Sequence, residues 1–198
     1  MAALIWRKFL PLIFYVLVAP GLVLLSRREG QAISTIPFLL VGGVLSWGLI
    51  EYLLHRFIFH HSAQSHLARQ LIYHAHMSHH ENPLAHSKHL ASMLLSAPVA
   101  IAYWLLCWAI TQSLAAASYL FIGMSCGYFI YQWLHFYSHH RKSRSGILRY
   151  LRRYHQLHHH QTPDLRFGVT SPLFDLLFGT FRPVVKRRTV SSPSSLEL

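Results

Sequence analysis

Charge is scarce in this chain, and acid is scarcest. Only 12% of the 198 residues are Asp, Glu, Lys or Arg, about half the share usual in a soluble globular domain. From His89 to His140 no charged residue occurs at all. A soluble fold could hardly hide so long an uncharged stretch, whereas two membrane-spanning helices would use it naturally. Cysteine is nearly missing too. Cys107 and Cys126 both lie inside apolar runs, with no CxxC and no disulfide framework, so they leave the redox compartment open.

What is present is apolar and basic. Hydrophobic residues make up 53% of the chain, and the mean hydropathy is positive. The length suggests one domain. The net charge is +12, which on its own could serve nucleic-acid binding. The basic residues concentrate after Arg141, directly behind an apolar run. That is the Lys/Arg excess of a cytoplasmic membrane flank, so no nucleic-acid partner is expected.

Four apolar runs read as spans: Phe9 to Leu25, Ile33 to Leu54, Leu90 to Ile110 and Leu114 to Leu134. The last three are each long enough for a hydrocarbon core of roughly 30 Å, and backbone in lipid must satisfy itself, which dictates helices. The first run is short and carries Pro11, Pro20 and Gly21. It follows Arg7 and Lys8 as a signal peptide would, but no small-x-small cleavage pattern follows it, so it reads as a retained span. Four spans put both termini on one side. Arg141, Lys142, Arg144, Arg149, Arg152 and Arg153 make that side cytoplasmic, and Arg7 and Lys8 agree. Arg27 and Arg28 fall on the opposite side. Between His60 and Lys88 short helices are expected over the spans, and Gly146 to His160 reads as an amphipathic helix. Residues 186–198 have the composition of a flexible tail, which leaves 1–185 as the membrane-bound domain.

Seventeen histidines are the other excess. Ten fall into four clusters at span ends: His55 and His60; His76, His79 and His80; His135 and His139; His155, His158 and His159. Under this topology all four clusters meet at the cytoplasmic surface. Neutral imidazole is a good ligand for iron, zinc or copper, and ten rings are about enough for two ions with a position left open on each. Residues at i, i+3 and i+4 share a helical face, so each HxxHH should point three rings one way, and HxxxH two. HxxxxH does not fit one face, so His55 and His60 should straddle a helix end or serve different ions. Metal-bound histidines usually donate their second nitrogen to a carboxylate or carbonyl. Glu51, one turn before His55, and Gln132, three residues before His135, are the expected partners. The other histidines, 61, 66, 74, 86, 89, 140 and 160, are expected at the surface or beside the ligands. Two redox metals at a membrane surface imply oxygen chemistry on a lipid. The alternatives are a zinc-binding scaffold and a metal transporter, the latter disfavoured because transporters place ligands near the bilayer midplane.

These residues resemble the fatty acid hydroxylase superfamily of integral-membrane, histidine-box proteins, which also holds sterol desaturases and sterol methyl oxidases. The segment Glu51-Tyr52-Leu53-Leu54-His55-Arg56-Phe57-Ile58-Phe59-His60 is similar to the opening motif of fatty acid 2-hydroxylases, and Arg153-Tyr154-His155-Gln156-Leu157-His158-His159 to their last histidine box. Phe167-Gly168-Val169-Thr170-Ser171, Asp175 and Phe178-Gly179-Thr180 are similar to the block that follows it. Gln132 stands where the 2-hydroxylases tend to have Asp. The resemblance implies an all-α integral membrane fold of about four transmembrane helices, with a cytoplasmic helical cap holding a dinuclear metal site. It implies two iron ions, with zinc able to replace them in purified protein, and oxygen-dependent hydroxylation of a long fatty acyl chain at C2. A sterol or carotenoid oxidase is the runner-up. Some members carry a cytochrome b5 domain, which this length does not accommodate. Electrons are therefore expected from a separate donor such as cytochrome b5 or ferredoxin, at the bacterial inner membrane or the endoplasmic reticulum.

Overall fold

The computed structural model describes residues 15, 18–24, 29–85, 93–142, 144 and 146–185. Apart from Tyr15 and the helical residues 18–24, the first expected span lies outside the described residues, and so does the tail from residue 186. Seven α-helices follow from Ile36 onward, and no strands occur among the described residues. They are α1 (Ile36–Leu53), α2 (His66–Ile72), α3 (Ser78–Glu81), α4 (Met93–Thr111), α5 (Leu114–His140), α6 (Gly146–His160) and α7 (Leu173–Leu177). Two π-helical turns interrupt the α geometry, Leu54–Phe59 directly after α1 and Tyr73–Met77 between α2 and α3.

Among the described residues, two helical stretches are long and apolar enough to cross a membrane, Ile33–Phe59 and Leu114–His140, each of 27 residues. At roughly 1.5 Å per residue either one is about 40 Å long, more than a hydrocarbon core requires. Ser96–Thr111 is a shorter apolar helix, where the sequence suggested a full span from Leu90. On the first stretch large apolar side chains point outward. Phe38 is 79% exposed and Leu45 54%, the arrangement of a surface meant for lipid rather than water.

Glycine decides how closely α1 and α5 cross. A Cβ on Gly43 would meet the Leu120 carbonyl oxygen and the Met124 amide, and one on Gly123 would meet the Leu40 carbonyl oxygen. The two backbones touch there because neither residue has a side chain, as in other close crossings of membrane helices. Gly127 admits the Trp47 side chain in the same way. Around this crossing lies a core of Tyr15, Trp47, Ala100, Phe121, Met124 and Tyr128. Its rings meet edge-on or tilted, with the Trp47 and Tyr128 centroids 5.1 Å apart. At the start of α5, Ser113 accepts from the Ala116 amide, and the Glu29 carboxylate accepts from the Ala115 amide and the Ser113 hydroxyl. That caps two amides an α-helix cannot satisfy itself. The close crossing fixes the far ends of α1 and α5, and both of those ends carry histidines.

Candidate metal centre

The ten clustered histidines converge into two groups, but not by sequence motif. His55, His60, His76, His80 and His158 form one, and His79, His135, His139, His155 and His159 the other. In each group the five ligand nitrogens lie within 4.8 Å of one another. Both HxxHH motifs are therefore divided. His76 and His80 join the first group while His79 joins the second, and His155 and His159 join the second while His158 joins the first. A helical i, i+4 pair faces one group, and the residue at i+3 faces the other. The expectation of three rings aimed one way is thus replaced by a shared wall between two sites. His80 and His159 stack across that wall with ring centroids 4.0 Å apart.

His55 and His60 serve the same group, although five residues separate them. The reason is the π-helical turn Leu54–Phe59, in which the His60 amide donates to the His55 carbonyl. Bonding from i to i+5 widens the turn and brings residues five apart onto one face. His60 also ends the turn, as its C-cap. The second π-helical turn, Tyr73–Met77, holds His76.

Nε2 atoms face one another at the centre of each group. They are 3.0 Å apart for His55 and His76, and 2.9 Å for His76 and His80. The other group gives 2.8 Å for His79 and His135, 3.1 Å for His79 and His139, and 2.9 Å for His139 and His155. With metal–nitrogen bonds of about 2.0–2.1 Å, neighbouring ligands at right angles stand about 2.9 Å apart, and tetrahedral ones about 3.3–3.4 Å. The observed spacing suits a five-nitrogen set better than a closed tetrahedron. The Nε2 atoms of His60 and His158 are buried and have no hydrogen-bond partner among the described residues. Buried polar atoms left so are costly unless something binds them; a cation at the first centre would do so, and one at the second would do the same for the buried, unpartnered Nε2 of His159.

Burial keeps the rings neutral. It pushes His60 and His80 down to about 4, and lowers His76, His155, His158 and His159 well below the ordinary imidazole range. Neighbouring imidazoles add to the effect at every one of these positions except His60, where Asp164 opposes it. Neutral imidazole is the ligand form. Two rings have their tautomer fixed as well. The Nδ1 of His55 lies 2.6 Å from the Phe167 carbonyl oxygen, and that of His158 lies 2.8 Å from the Leu165 carbonyl oxygen. A carbonyl only accepts, so Nδ1 carries the proton and Nε2 keeps its lone pair for the centre.

The expected supporting residues stand elsewhere. The Glu51 carboxylate accepts from the amides of Val169 and Thr170 and from the Thr170 hydroxyl. Gln132 donates to the Tyr128 hydroxyl at 3.0 Å. Two groups that do hold imidazoles, on His158 and His55, are the Leu165 and Phe167 carbonyls, which leave no mark in a sequence. Asp175 has the same indirect place: it accepts from the amides of Phe167 and Gly168, both at 2.8 Å. It lies in the quoted block similar to the hydroxylases, where no role attaches to it. Of the remaining histidines, His61, His66, His74 and His160 are exposed and His140 is half-buried, while His86 and His89 lie outside the described residues.

A partly open cavity reaches the first group from between the long helices. Trp47, Leu54, Phe59, Val99, Ala100 and Met124 give it apolar walls, and His55 and Glu51 stand at its lining. Its tyrosines 15 and 128 have their hydroxyls engaged, by the Ser96 carbonyl and the Gln132 amide.

Known proteins resemble this chain in sequence and in fold. A dihydroceramide fatty acyl 2-hydroxylase of Arabidopsis thaliana is 33% identical over 155 residues, which is 78% of this chain and 65% of the plant protein. The ceramide very long chain fatty acid hydroxylase SCS7 of Saccharomyces cerevisiae is 35% identical over 147 residues, 73% of this chain and 38% of the yeast protein. The chain thus spans less than two thirds of the length of either. The solved structure of full-length Scs7p, in which only the hydroxylase domain is visible, superposes with a TM-score of 0.79 at 29% identity, covering 91% of this chain and 70% of that one. The sequence pattern of the fatty acid hydroxylase family matches residues 40–180, from the glycine crossing of α1 to the loop that holds His55 and His158. Spanning most of the chain and all ten clustered histidines, that match makes this protein a member of the fatty acid hydroxylase family.

Proposed function

We propose that this chain is a multi-pass membrane hydroxylase, with two iron ions in its histidine groups, that places a hydroxyl on C2 of a long fatty acyl chain. It uses dioxygen and electrons from a separate donor. The observation that carries this reading is the abutment of two five-histidine groups at the end of an apolar cavity. The names of the relatives support the substrate class, since both are fatty acyl or fatty acid hydroxylases, and that of the Arabidopsis protein, a 2-hydroxylase, supports the carbon.

His55, His60, His76, His80 and His158 would hold one ion, and His79, His135, His139, His155 and His159 the other. Ten uncharged nitrogen donors suit a first-row divalent metal, and zinc would compete for them under the usual affinity order. When bound, the irons supply the dioxygen activation needed to break an unactivated C–H bond; the rest is the protein's part. Trp47, Leu54, Val99, Ala100 and Met124 bind the acyl chain by burying it and keep water from the reacting carbon. Their arrangement presents C2 at the His55 end of the cavity. The carbonyls of Phe167 and Leu165 hold protons on Nδ1 of His55 and His158, so those rings stay neutral and aimed. The Lys and Arg that follow α5 hold this face in the cytoplasm.

Acyl-lipid profiling of cells expressing the chain tests the reading. The expected product is a fatty acyl chain with one added oxygen at C2, formed only with oxygen, reductant and iron-loaded protein. Oxygenated sterols or carotenoids instead would overturn the substrate. The absence of any oxygen-dependent product would overturn the enzyme.

A further inference from the structure

We propose that Asp175 and Glu51 are positioning residues for one metal only, acting through the backbone of residues 165–170. The proposal rests on the two-metal reading above. Four successive amides of that loop are held by two buried carboxylates. Phe167 and Gly168 donate to Oδ1 and Oδ2 of Asp175, and Val169 and Thr170 to Oε1 of Glu51, whose Oε2 accepts the Thr170 hydroxyl at 2.6 Å. Asp175 is 0% exposed and Glu51 4%.

Peptide planarity turns this clamp into ring control. The Phe167 carbonyl and the Gly168 amide belong to one rigid trans unit and point in opposite directions. Fixing the amide on Asp175 therefore aims the carbonyl at His55. The Leu165 carbonyl shares its plane with the Arg166 amide, which donates to the Thr180 carbonyl. The Thr180 hydroxyl donates to Asp175 Oδ1 at 2.7 Å, so both aiming units are tied to that carboxylate. Because the Thr180 proton is already committed, the Tyr52 hydroxyl donates to Thr180, and Arg56 donates to Tyr52. Gly168 permits the closure, since a Cβ there would meet the Ser171 carbonyl oxygen and stand 3.0 Å from Asp175 Oδ2.

Both rings aimed in this way, His55 and His158, belong to the same group. In the other group, Nδ1 of His155 has no hydrogen-bond partner among the described residues. Losing the clamp should therefore empty one site and spare the other. The two carboxylates also differ in what they tolerate. Asp175 receives three donors on both oxygens, so an Asn would set its NH2 against an N–H or a committed hydroxyl. Glu51 Oε1 takes both amides, while Oε2 faces only a hydroxyl, which can turn and accept from a Gln.

The test is metal stoichiometry of the full chain, stripped and titrated with Zn(II), with folding followed by circular dichroism. Wild type should hold two ions. Asp175→Asn should hold one, with affinity at the other site lower by about 10–100-fold. Adding His155→Ala should remove the remaining ion, and adding His158→Ala should change nothing further. Glu51→Ala should behave as Asp175→Asn does, and Glu51→Gln as wild type does. Two ions of undiminished affinity in Asp175→Asn overturn the proposal and leave the two-metal reading standing. Loss of both ions from folded Asp175→Asn, or equal loss in Glu51→Ala and Glu51→Gln, shows a merely structural role and also overturns it. Should Asp175→Asn fail to fold, the Glu51 pair decides. Wild type holding fewer than two ions overturns both the proposal and the reading beneath it.

Discussion

His79 and His80 are adjacent in the chain, yet their rings serve different centres. Nε2 of His79 lies 2.8 Å from Nε2 of His135, while Nε2 of His80 lies 2.9 Å from Nε2 of His76. One peptide bond thus ties the two histidine groups together. His79→Ala and His80→Ala should each lower metal content by one ion, from opposite sites, and each should abolish hydroxylation, because the chemistry needs both. Elemental analysis beside product assays checks this. Two ions in either variant, or full activity with one, would contradict the division of the histidines.

The glycine crossing sets the distance between the α1 and α5 contributions to the site. Gly123→Ala places a methyl against the Leu40 carbonyl oxygen and the Gly43 Cα. Backbone cannot rotate aside as a side chain does, so the helices must part. The expected cost is about 1–3 kcal/mol, the usual range for overpacking. It should appear as a lower thermal midpoint in detergent and as weaker binding of both ions, since His55 and His135 lie beyond the crossing on the two helices. An unchanged midpoint would mean that α1 and α5 do not meet through these glycines.

How much of this the sequence disclosed follows from what side chains record. The ten histidines that gather in two groups are those that stand in clusters along the sequence, and α6 has the bounds that its amphipathic pattern indicates, Gly146 to His160. The partition into two groups was not readable. For His55, His60 and His76 it depends on the π-helical turns Leu54–Phe59 and Tyr73–Met77, which change the angular advance between His55 and His60 and the setting of His76. An α-helical ruler misplaces such residues, and nothing in the composition of either turn announces the change. Glu51 drew notice as a carboxylate in an apolar run, but its partners were out of reach because they are main-chain amides more than a hundred positions away. Asp175 sits in a short, ordinary-looking segment, and its meaning lies in the loop that it captures.

The outward face of the first long helix tests the membrane reading directly. Leu45 is 54% exposed near the middle of the stretch Ile33–Phe59. An Arg there costs about 2.5–3.5 kcal/mol on insertion scales. Leu45→Arg should therefore shift the chain from the alkali-resistant membrane fraction to the extractable one. Arg149→Gln, on the exposed side of α6, should leave the fraction unchanged. Equal membrane retention of Leu45→Arg would mean that this face does not meet lipid.

Chain-length selectivity should reside in the cavity. Val99 is a half-buried residue on its wall, contributed by α4, away from the histidine-bearing ends of α1 and α5. Val99→Phe adds a ring to the space that an acyl chain would fill without touching a metal ligand or the loop behind His55. Turnover of the longest acyl chains should fall about tenfold or more, since one well-packed obstruction of 1–3 kcal/mol corresponds to roughly 5–150-fold in rate. Shorter chains should be hydroxylated at nearly the wild-type rate, and metal content should stay at two ions. Product profiling with a ladder of acyl lengths separates the outcomes. A uniform loss at every length would point to damage at the metals, whereas an unchanged profile would show that the acyl chain reaches His55 by a different path.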